Sequence, residues 1–338
     1  MRQHSLRKRL AYWAVALGVA VPLLYASLRG ISWPDVWALI SRAAPGLLAA
    51  SFAVASGCLF LRALRWRVLL SASARVHLTT VFAATAVGYC GNLFLPARAG
   101  ELVRTLMVSR STGLSKAFVL TTALCERLSD AMALVLISSF ALLELPLKPG
   151  WLRNAAGPFV MLALAGIVTI IFLPKLEPMG RRWLPHLPVS ERMQSTLLSL
   201  TEHVISGLRT FHDLKVLSAF SALTAVIWFG DACTVVLIMR ALALPGTLVI
   251  AILLTTALAL GSALPSTPGY IGVYQFVAVS VLTPFGFTKT DAIGYILVFQ
   301  ALQYVLMLTW AGLGALIWRA KYGGASRTDA SGVDERSA

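Results

Sequence analysis

Six apolar stretches, each long enough to cross a lipid bilayer, constrain this chain more than any other feature. A transmembrane helix needs about twenty predominantly apolar residues. The stretches lie near residues 11–28, 44–61, 117–143, 158–174, 216–239 and 292–318. Of the 338 residues, 58% are hydrophobic and 13% are charged, whereas about one quarter of a soluble domain is charged. The sequence therefore predicts an all-α polytopic membrane protein with about six full crossings.

Two further apolar stretches, 78–95 and 247–285, do not fit a simple crossing. Basic residues mark the cytoplasmic flanks of transmembrane segments. The first stretch has arginines on both flanks, including Arg75 and Arg104, whereas the second is bordered only by Arg240 and Lys289. The charge pattern predicts two re-entrant hairpins, the first entering from the cytoplasm and the second from outside.

The remaining basic residues predict the orientation of the chain. They are concentrated in the N-terminal segment, the 175–215 connection and the C-terminal segment, which we expect to be cytoplasmic. The net charge of +15 thus favours anionic lipid headgroups rather than nucleic acid as partners. Two amphipathic segments, "ISWPDVWALISRA" and "VSERMQSTLLSLTEHVISGLRTF", are expected to lie along the interface, and residues 321–338 to form a disordered tail.

The two hairpin regions share a sequence pattern. Aligning "NLFLPARAGELV" with "GSALPSTPGYIG" matches Pro96 with Pro265 and Gly100 with Gly269. The later segments "GLSKAF" and "GFTKTD" extend the similarity, and a long apolar stretch with polar residues follows each of them. We interpret the pattern as an internal repeat.

The repeat predicts one transmembrane domain over residues 1–320, with halves at about 44–174 and 216–320. Because the hairpins are expected to open on opposite sides of the membrane, the halves should have opposite orientations. Inverted repeats with broken helices near the bilayer midplane are a common transporter plan, in which the breaks mark the substrate site.

The stretch "GNLFLPARAGELVR" is interpreted as such a break, facing a polar cavity. Non-helical backbone at membrane depth needs partners in protein or water, and a helix restarting near Gly100 or Gly269 presents N–H groups suited to a phosphate. The candidate path and headgroup residues are Asn92, Pro96, Arg98, Gly100, Glu101, Arg104, Pro265, Ser266, Thr267, Pro268, Gly269, Tyr270 and Gln275.

Several of these candidates also have a structural interpretation. Arg98 and Arg104 are equally explained as cytoplasmic anchors, and Glu101 as a favourable charge at a helix N-terminus. The segment "PSTPGYIGVYQ" is equally explained as a tight turn. Both interpretations stay open at this stage.

Four acidic or basic residues inside the apolar stretches are candidates for gating or coupling: Glu126, Arg127, Asp130 and Asp231. A charge at the bilayer centre costs about 2.5 to 3.5 kcal/mol on the insertion scale. Glu126 should therefore pair, with Arg127, Arg98 or Arg104. A purely structural ion-pair network is the alternative, and Asp231 either lines the same cavity or pairs locally.

The segment "LRALRWR" is interpreted as the end of a helix at the inner interface. Its Arg62, Arg65 and Trp66 are residue types that anchor helices there, and a phosphate contact is the alternative. The four cysteines lie singly in apolar runs, which indicates neither disulfides nor a zinc site. No nucleotide-binding or hydrolase motif occurs in the right context, so we expect no catalytic residue, metal or cofactor.

Three motifs in order resemble a known family. They are N-x-x-x-P-x-R-x-G-E-x-x-R at 92–104, "ERLSD" at 126–130 and "LPSTPGYIGVYQ" at 264–275. This pattern resembles the transmembrane region of lysylphosphatidylglycerol synthases and of related stand-alone flippase-like membrane proteins, and it covers essentially the whole membrane portion.

The resemblance implies a function in lipid translocation. In the bifunctional synthases this region is associated with moving phospholipid between leaflets, while a separate soluble domain transfers the amino acid from tRNA. Only about twenty residues follow the last apolar stretch here, so we expect a transporter and not an enzyme. The expected substrate is an anionic lipid, either a phospholipid or a polyprenyl-phosphate, glycolipid or hopanoid-related lipid.

Two other functions stay open. One is an integral membrane lipid transferase with Glu126 or Asp130 as its base, and the other is a non-transporting accessory subunit that binds lipid-synthesis enzymes. In each case we expect a multi-pass protein of the bacterial inner membrane with both termini in the cytoplasm, able to form a homo-oligomer.

Overall fold

Ten α-helices make up the computed structural model, which describes residues 2–71, 73–95, 99–143, 161, 213–262 and 267–322. Within these ranges all regular secondary structure is helical. In chain order the helices are α1 Arg2–Leu28, α2 Trp33–Ser41, α3 Pro45–Leu70, α4 Leu78–Phe94, α5 Gly100–Thr112, α6 Lys116–Leu143, α7 Leu214–Ala241, α8 Leu248–Gly261, α9 Val273–Leu282 and α10 Lys289–Tyr322. The all-α prediction is confirmed for these residues.

Among the described residues, three helices are long and apolar enough to cross a membrane: α3, α7 and α10. They correspond to the predicted crossings 44–61, 216–239 and 292–318. In the same residues a fourth span arises if Ala14–Leu28 and α2, which meet at 85°, form one broken crossing. Helix α6 has 28 residues but carries three charges near its middle, and the predicted crossing 158–174 lies outside the described residues. A total of six crossings stays a prediction.

Each predicted hairpin region contains a helix, a break and a second helix. In the first region, 78–94 is one continuous helix, and the helix that packs against it is α5, which lies beyond the predicted stretch 78–95. Helix α5 begins at Gly100, the predicted restart. In the second region, α8 and α9 flank a short 3₁₀ turn at Pro268–Tyr270, so the α-helix restarts at Val273 and not at Gly269.

The four helices α3–α6 and the four helices α7–α10 pack by the same pattern. Exchanging α3 with α7, α4 with α8, α5 with α9 and α6 with α10 leaves the set of packed helix pairs within these two groups unchanged. Helix α4 packs on α10 as α8 packs on α6, for example, and α3 packs on its own equivalent α7. Each group also has its own apolar core.

Helices α3 and α7 run antiparallel. The Cys58 Sγ on α3 lies beside Gly230 on α7, whereas Arg65, further along α3, donates a hydrogen bond to the earlier Thr224 at 3.0 Å. The contacts thus move backwards along α7 as α3 advances. This pair of equivalent helices therefore points in opposite directions, as an inverted repeat requires.

Glycines allow α4 and α5 to approach each other closely. A Cβ atom at Gly91 would lie 2.9 Å from the Gly100 Cα, and one at Gly88 would lie 3.0 Å from the Gly100 carbonyl oxygen. A Cβ atom at Gly100 itself would collide with the α4 backbone. Backbone atoms cannot rotate away as side chains can, so this contact requires glycine.

The Gly100→Ala substitution tests this packing. We expect it to lower stability by at least the roughly 1–3 kcal/mol typical of overpacking, because the added methyl group meets backbone at Gly88 and Asn92. The measurement is the thermal unfolding temperature of the purified protein in detergent. Gly57→Ala is the matched control, since no atom lies within 4 Å of the added carbon; equal unfolding temperatures for the two variants would contradict the packing.

Candidate functional site

The buried guanidinium of Arg65 joins three helices. It donates to Asp130 on α6 at 2.6 and 2.9 Å, to Glu126 on α6 at 2.9 Å and to Thr224 on α7 at 3.0 Å. The Arg65 and Glu126 side chains are fully buried. Glu126 and Asp130 are neighbours on one helix face because they are four residues apart. One cation thus pairs with both carboxylates in a place where a charge without a partner is most costly.

Arg104 of α5 extends this cluster to the first break. Its Nε donates to Glu101 at 2.6 Å, and its Nη1 lies 3.0 Å from Glu126 Oε2, an ion pair without hydrogen-bond geometry. The guanidinium stacks over Trp66 at 4.4 Å. The predicted pair of Glu126 with Arg104 is confirmed. Arg65 and Trp66 of α3 were expected at the interface, but both side chains are fully buried. The prediction that they end a helix there is wrong, since α3 continues to Leu70.

Arg127 connects the same cluster to the end of α4. Its Nε donates to Glu101 at 3.0 Å, and its guanidinium lies over the Tyr89 ring at 4.7 Å. The Asn92 side chain donates to Glu101 at 3.0 Å and accepts from the Glu101 N–H at 3.2 Å. The first break is therefore held by ion pairs and by an amide that satisfies the start of α5.

Neutral groups hold the second break. Gln275 accepts from the Gly272 N–H at 2.7 Å and donates to Gln300 at 2.6 Å, and Gln300 donates to the Gly269 carbonyl oxygen at 2.8 Å. The Tyr304 hydroxyl donates to the same carbonyl at 3.2 Å. Gly269 has a φ of +73°, which L side chains rarely adopt.

A hydrogen bond joins the two breaks. The Tyr270 hydroxyl donates to the carbonyl oxygen of Asn92 at 3.4 Å. Tyr270 has a φ of +59°, an uncommon conformation for a residue with a side chain, and such strain is concentrated at functional sites.

A partly open cavity of about 230 Å³ lies between the two helix groups. Both groups contribute polar residues to its lining. The first group, through α3, α4 and α6, contributes Arg62, Tyr89, Asn92 and Arg127. The second group, through α7, α8, the second break and α10, contributes Asp231, Thr234, Thr255, Ser262, Tyr270, Gln300, Gln303 and Tyr304. Apolar side chains including Leu59, Leu258 and Met307 complete the walls. The cavity therefore has both charged and apolar walls.

Arg62 and Asp231 form a two-pronged ion pair at this cavity. The Arg62 Nη1 lies 3.3 Å from Asp231 Oδ1, and the Nη2 donates to Oδ2. The side chains are 14% and 20% exposed, whereas Arg65 and Arg104 are 0% exposed. Arg62 and Asp231 are therefore partly exposed ion-pair residues at the cavity, whereas Arg65 and Arg104 are fully buried and do not line it.

The predicted site residues fall into three groups. Asn92, Arg127, Asp231, Gly269 and Tyr270 line the cavity. The second group is described by the structure but does not line the cavity: Gly100, Glu101, Arg104, Glu126, Asp130, Thr267, Pro268 and Gln275. Pro96, Arg98, Pro265 and Ser266 lie outside the described residues.

Arg62 is the principal cavity residue not selected from the sequence. It was interpreted as an interfacial anchor, with a phosphate contact as the alternative. The sequence repeat contains a signal for this residue: Arg62 and Asp231 are 169 residues apart, the same separation as between Pro96 and Pro265. Arg62 and Asp231 are therefore at equivalent positions of the repeat.

The described residues contain no group of three His, Cys, Asp or Glu side chains arranged to hold a metal ion. Three residues of the cavity lining each have a polar atom that is itself buried and has no hydrogen-bond partner in the described part of the protein: the Tyr89 hydroxyl, the Thr255 hydroxyl and Nη2 of Arg127. They are two hydroxyl groups and one cationic donor. Such donors suit the oxygens of an anion.

Residues 13–311 match the family described as the lysylphosphatidylglycerol synthase TM region. The chain belongs to this family. The match confirms the resemblance that the three motifs indicated and identifies a multi-pass membrane protein with a lipid-related function. No curated protein and no solved structure matches the chain.

The Arg65→Gln substitution tests the charge network. It leaves Glu126 and Asp130 buried without their shared cation, so we expect a loss of about 3–5 kcal/mol, seen as a lower unfolding temperature or loss of folded protein. Arg75→Gln is the control, because Arg75 is exposed and should change stability by less than about 0.5 kcal/mol. A folded Arg65 variant as stable as this control would show that the network contributes little.

Proposed function

We propose that this protein moves an anionic lipid between the leaflets of a membrane, with the headgroup passing through the cavity between the two helix groups. The observation that supports the proposal most directly is the cavity itself. Arg62 and Arg127 reach it from one group, and both helix breaks border it at Asn92 and Gly269. Irregular backbone at membrane depth is tolerated where it lines a cavity.

The residues around the cavity suit a phosphate. Arginine binds phosphate through a planar fork of donors, and Nη2 of Arg127 has no hydrogen-bond partner. The Tyr89 hydroxyl lacks one as well, and the Arg127 guanidinium stacks over the Tyr89 ring. We therefore assign the phosphate to Arg127, Tyr89 and Arg62, in place of the predicted Arg98 and Arg104.

The volume of the cavity suits a headgroup and not a whole lipid. At about 230 Å³ it is smaller than a typical pocket for a drug-sized ligand. The acyl or isoprenoid chains would thus stay in the bilayer while the headgroup crosses. The apolar walls at Leu59, Leu258 and Met307 fit the first carbons of such chains.

The packing of the helices supports alternating access. Equivalent helices α3 and α7 run antiparallel, as in an inverted repeat whose two halves rock about a fixed central site. In this proposal α4–α5 and α8–α9 are the re-entrant hairpins, and the protein lies in the bacterial inner membrane with both termini in the cytoplasm.

Glu126 and Asp130 take part in no chemical step of the proposed transport. Both carboxylates bond Arg65, and Glu126 is fully buried. Neither lines the cavity, so a role as transferase base would require these ion pairs to open. Their positions favour a supporting role behind the transport path.

Replacement of the cavity arginine tests the transport proposal. We expect Arg127→Gln to reduce the rate of leaflet exchange of fluorescent phosphatidylglycerol in proteoliposomes by at least about tenfold, since a charge-assisted hydrogen bond contributes about 1.5–3 kcal/mol. Leaflet exchange is measured by quenching of the outer leaflet. A polyprenyl-phosphate analogue, assayed in parallel, reports whether the headgroup phosphate suffices.

Arg240→Gln is the matched control, because Arg240 is exposed at the end of α7. It should transport like the wild type. Equal rates for the Arg127 and Arg240 variants would show that the headgroup does not pass through the cavity. A wild type that moves no anionic lipid would refute the proposed function.

A further inference from the structure

The Arg62–Asp231 pair differs from the other ion pairs of the protein in where it lies. Both side chains line the cavity, and each remains partly exposed to it. Arg62 is eight residues from the end of α3 and Asp231 is ten residues from the end of α7, so each lies about 12 Å or more inside its helix. The pair is thus accessible from the cavity although it lies well inside both helices.

Within this pair, Asp231 occupies the place of an anionic ligand. Its two carboxylate oxygens face the two terminal nitrogens of Arg62, which is the geometry in which a guanidinium also binds two oxygens of a phosphate. The Arg62 guanidinium lies over the Trp228 ring at 5.6 Å, so its orientation does not depend on the carboxylate alone. A phosphate that enters the cavity therefore competes with Asp231 for the same face of Arg62.

The displaced carboxylate would face an unfavourable environment. A second anion beside a carboxylate disfavours its charged form, as does removal from water. Besides Arg62, the titratable and charged groups around Asp231 and across the cavity are Cys58 of α3, Tyr89 of α4, Arg127 and Asp130 of α6, Cys233 of α7, Tyr270 and Tyr274 at the second break, and Tyr304 of α10. Arg127 is the second cation of the cavity lining, and it already bonds Glu101.

We propose that Asp231 is a proton-carrying counter-anion: a phosphate headgroup takes over Arg62 from Asp231, and Asp231 takes up one proton from water as it is displaced. An O–H bond forms on the carboxylate while an O–H bond of hydronium in the solvent breaks and leaves water, so the solution loses one proton. No other covalent bond changes, and the hydrogen bonds of Arg62 pass from the carboxylate to the phosphate. The inference rests on the proposed function and deepens it, because movement of the phosphate is then linked to movement of a proton.

Proton uptake on binding tests this directly. The full-length protein in detergent is titrated with dihexanoyl phosphatidylglycerol, whose phosphodiester does not itself titrate near neutral pH, in weak buffer with a pH indicator. We expect uptake of about one proton per bound diester. The affinity for the diester should then fall about tenfold for each unit by which the pH rises, over the range where one proton is linked to binding. Glycerophosphoglycerol, the same diester without acyl chains, distinguishes a lipid ligand from a free phosphodiester.

Asp231→Asn and Asp35→Asn are the matched variants. Asp231→Asn should bind the diester with no proton uptake and no dependence on pH, whereas Asp35→Asn, at an exposed position of α2, should behave as the wild type. If Asp231→Asn does not fold, calorimetry of the wild type in two buffers of different ionisation enthalpy measures the same proton.

The outcomes separate the two proposals. A wild type that binds the diester and moves the lipid without taking up a proton overturns the role of Asp231 and leaves the transport function intact. A wild type that neither binds the diester nor moves the lipid overturns the proposed function, and this inference with it.

Discussion

The pairing of Arg65 with Glu126 and Asp130 is the interaction on which the rest of the structure depends. It brings together α3, α6 and, through Thr224, α7. In a hydrocarbon surrounding, none of these charges is tolerated alone. Once they are paired, the polar face of α6 can point inwards, and Arg104 and Arg127 can reach the first break. The charge pairs thus connect the first break to the core of its helix group.

The network balances its charges. Four arginines and four carboxylates take part: Arg62, Arg65, Arg104, Arg127, Glu101, Glu126, Asp130 and Asp231. Arg65, Arg104 and Glu126 are fully buried and pair with other members of the network, whereas Arg62, Arg127 and Asp231 line the cavity. The charges that a ligand in the cavity can meet are thus held in place by charges buried behind them.

Much of the fold followed from the sequence because its signals are local or periodic. The length of the apolar stretches predicted α3, α7 and α10, and the proline and glycine near Gly100 predicted the end of α4 and the start of α5. The shared L-P-x-x-x-G pattern predicted that the two break regions are related. In the same way, the cost of a buried charge predicted that Glu126 would have a partner.

The part that could not be predicted depends on which helix faces align. Arg65 resembles an interfacial anchor in sequence, and only its packing against α6 and α7 shows that it is buried. The restart at Val273, four residues beyond the predicted one, depends on Gln275 and Gln300 reaching the backbone at Gly272 and Gly269. Contacts between residues far apart in the chain leave no periodic trace in the sequence.

The two breaks also differ in how they respond to hydration. Ion pairs hold the first break, and their strength falls steeply as the local dielectric constant rises. Amide and hydroxyl groups hold the second, and water replaces such bonds at little net cost in either direction. Among these groups Arg127 and Gln300 line the cavity, so water there weakens the bond of Arg127 to Glu101 more than the bond of Gln300 to Gly269. Although the helices of the two halves pack alike, the two breaks are thus electrically asymmetric.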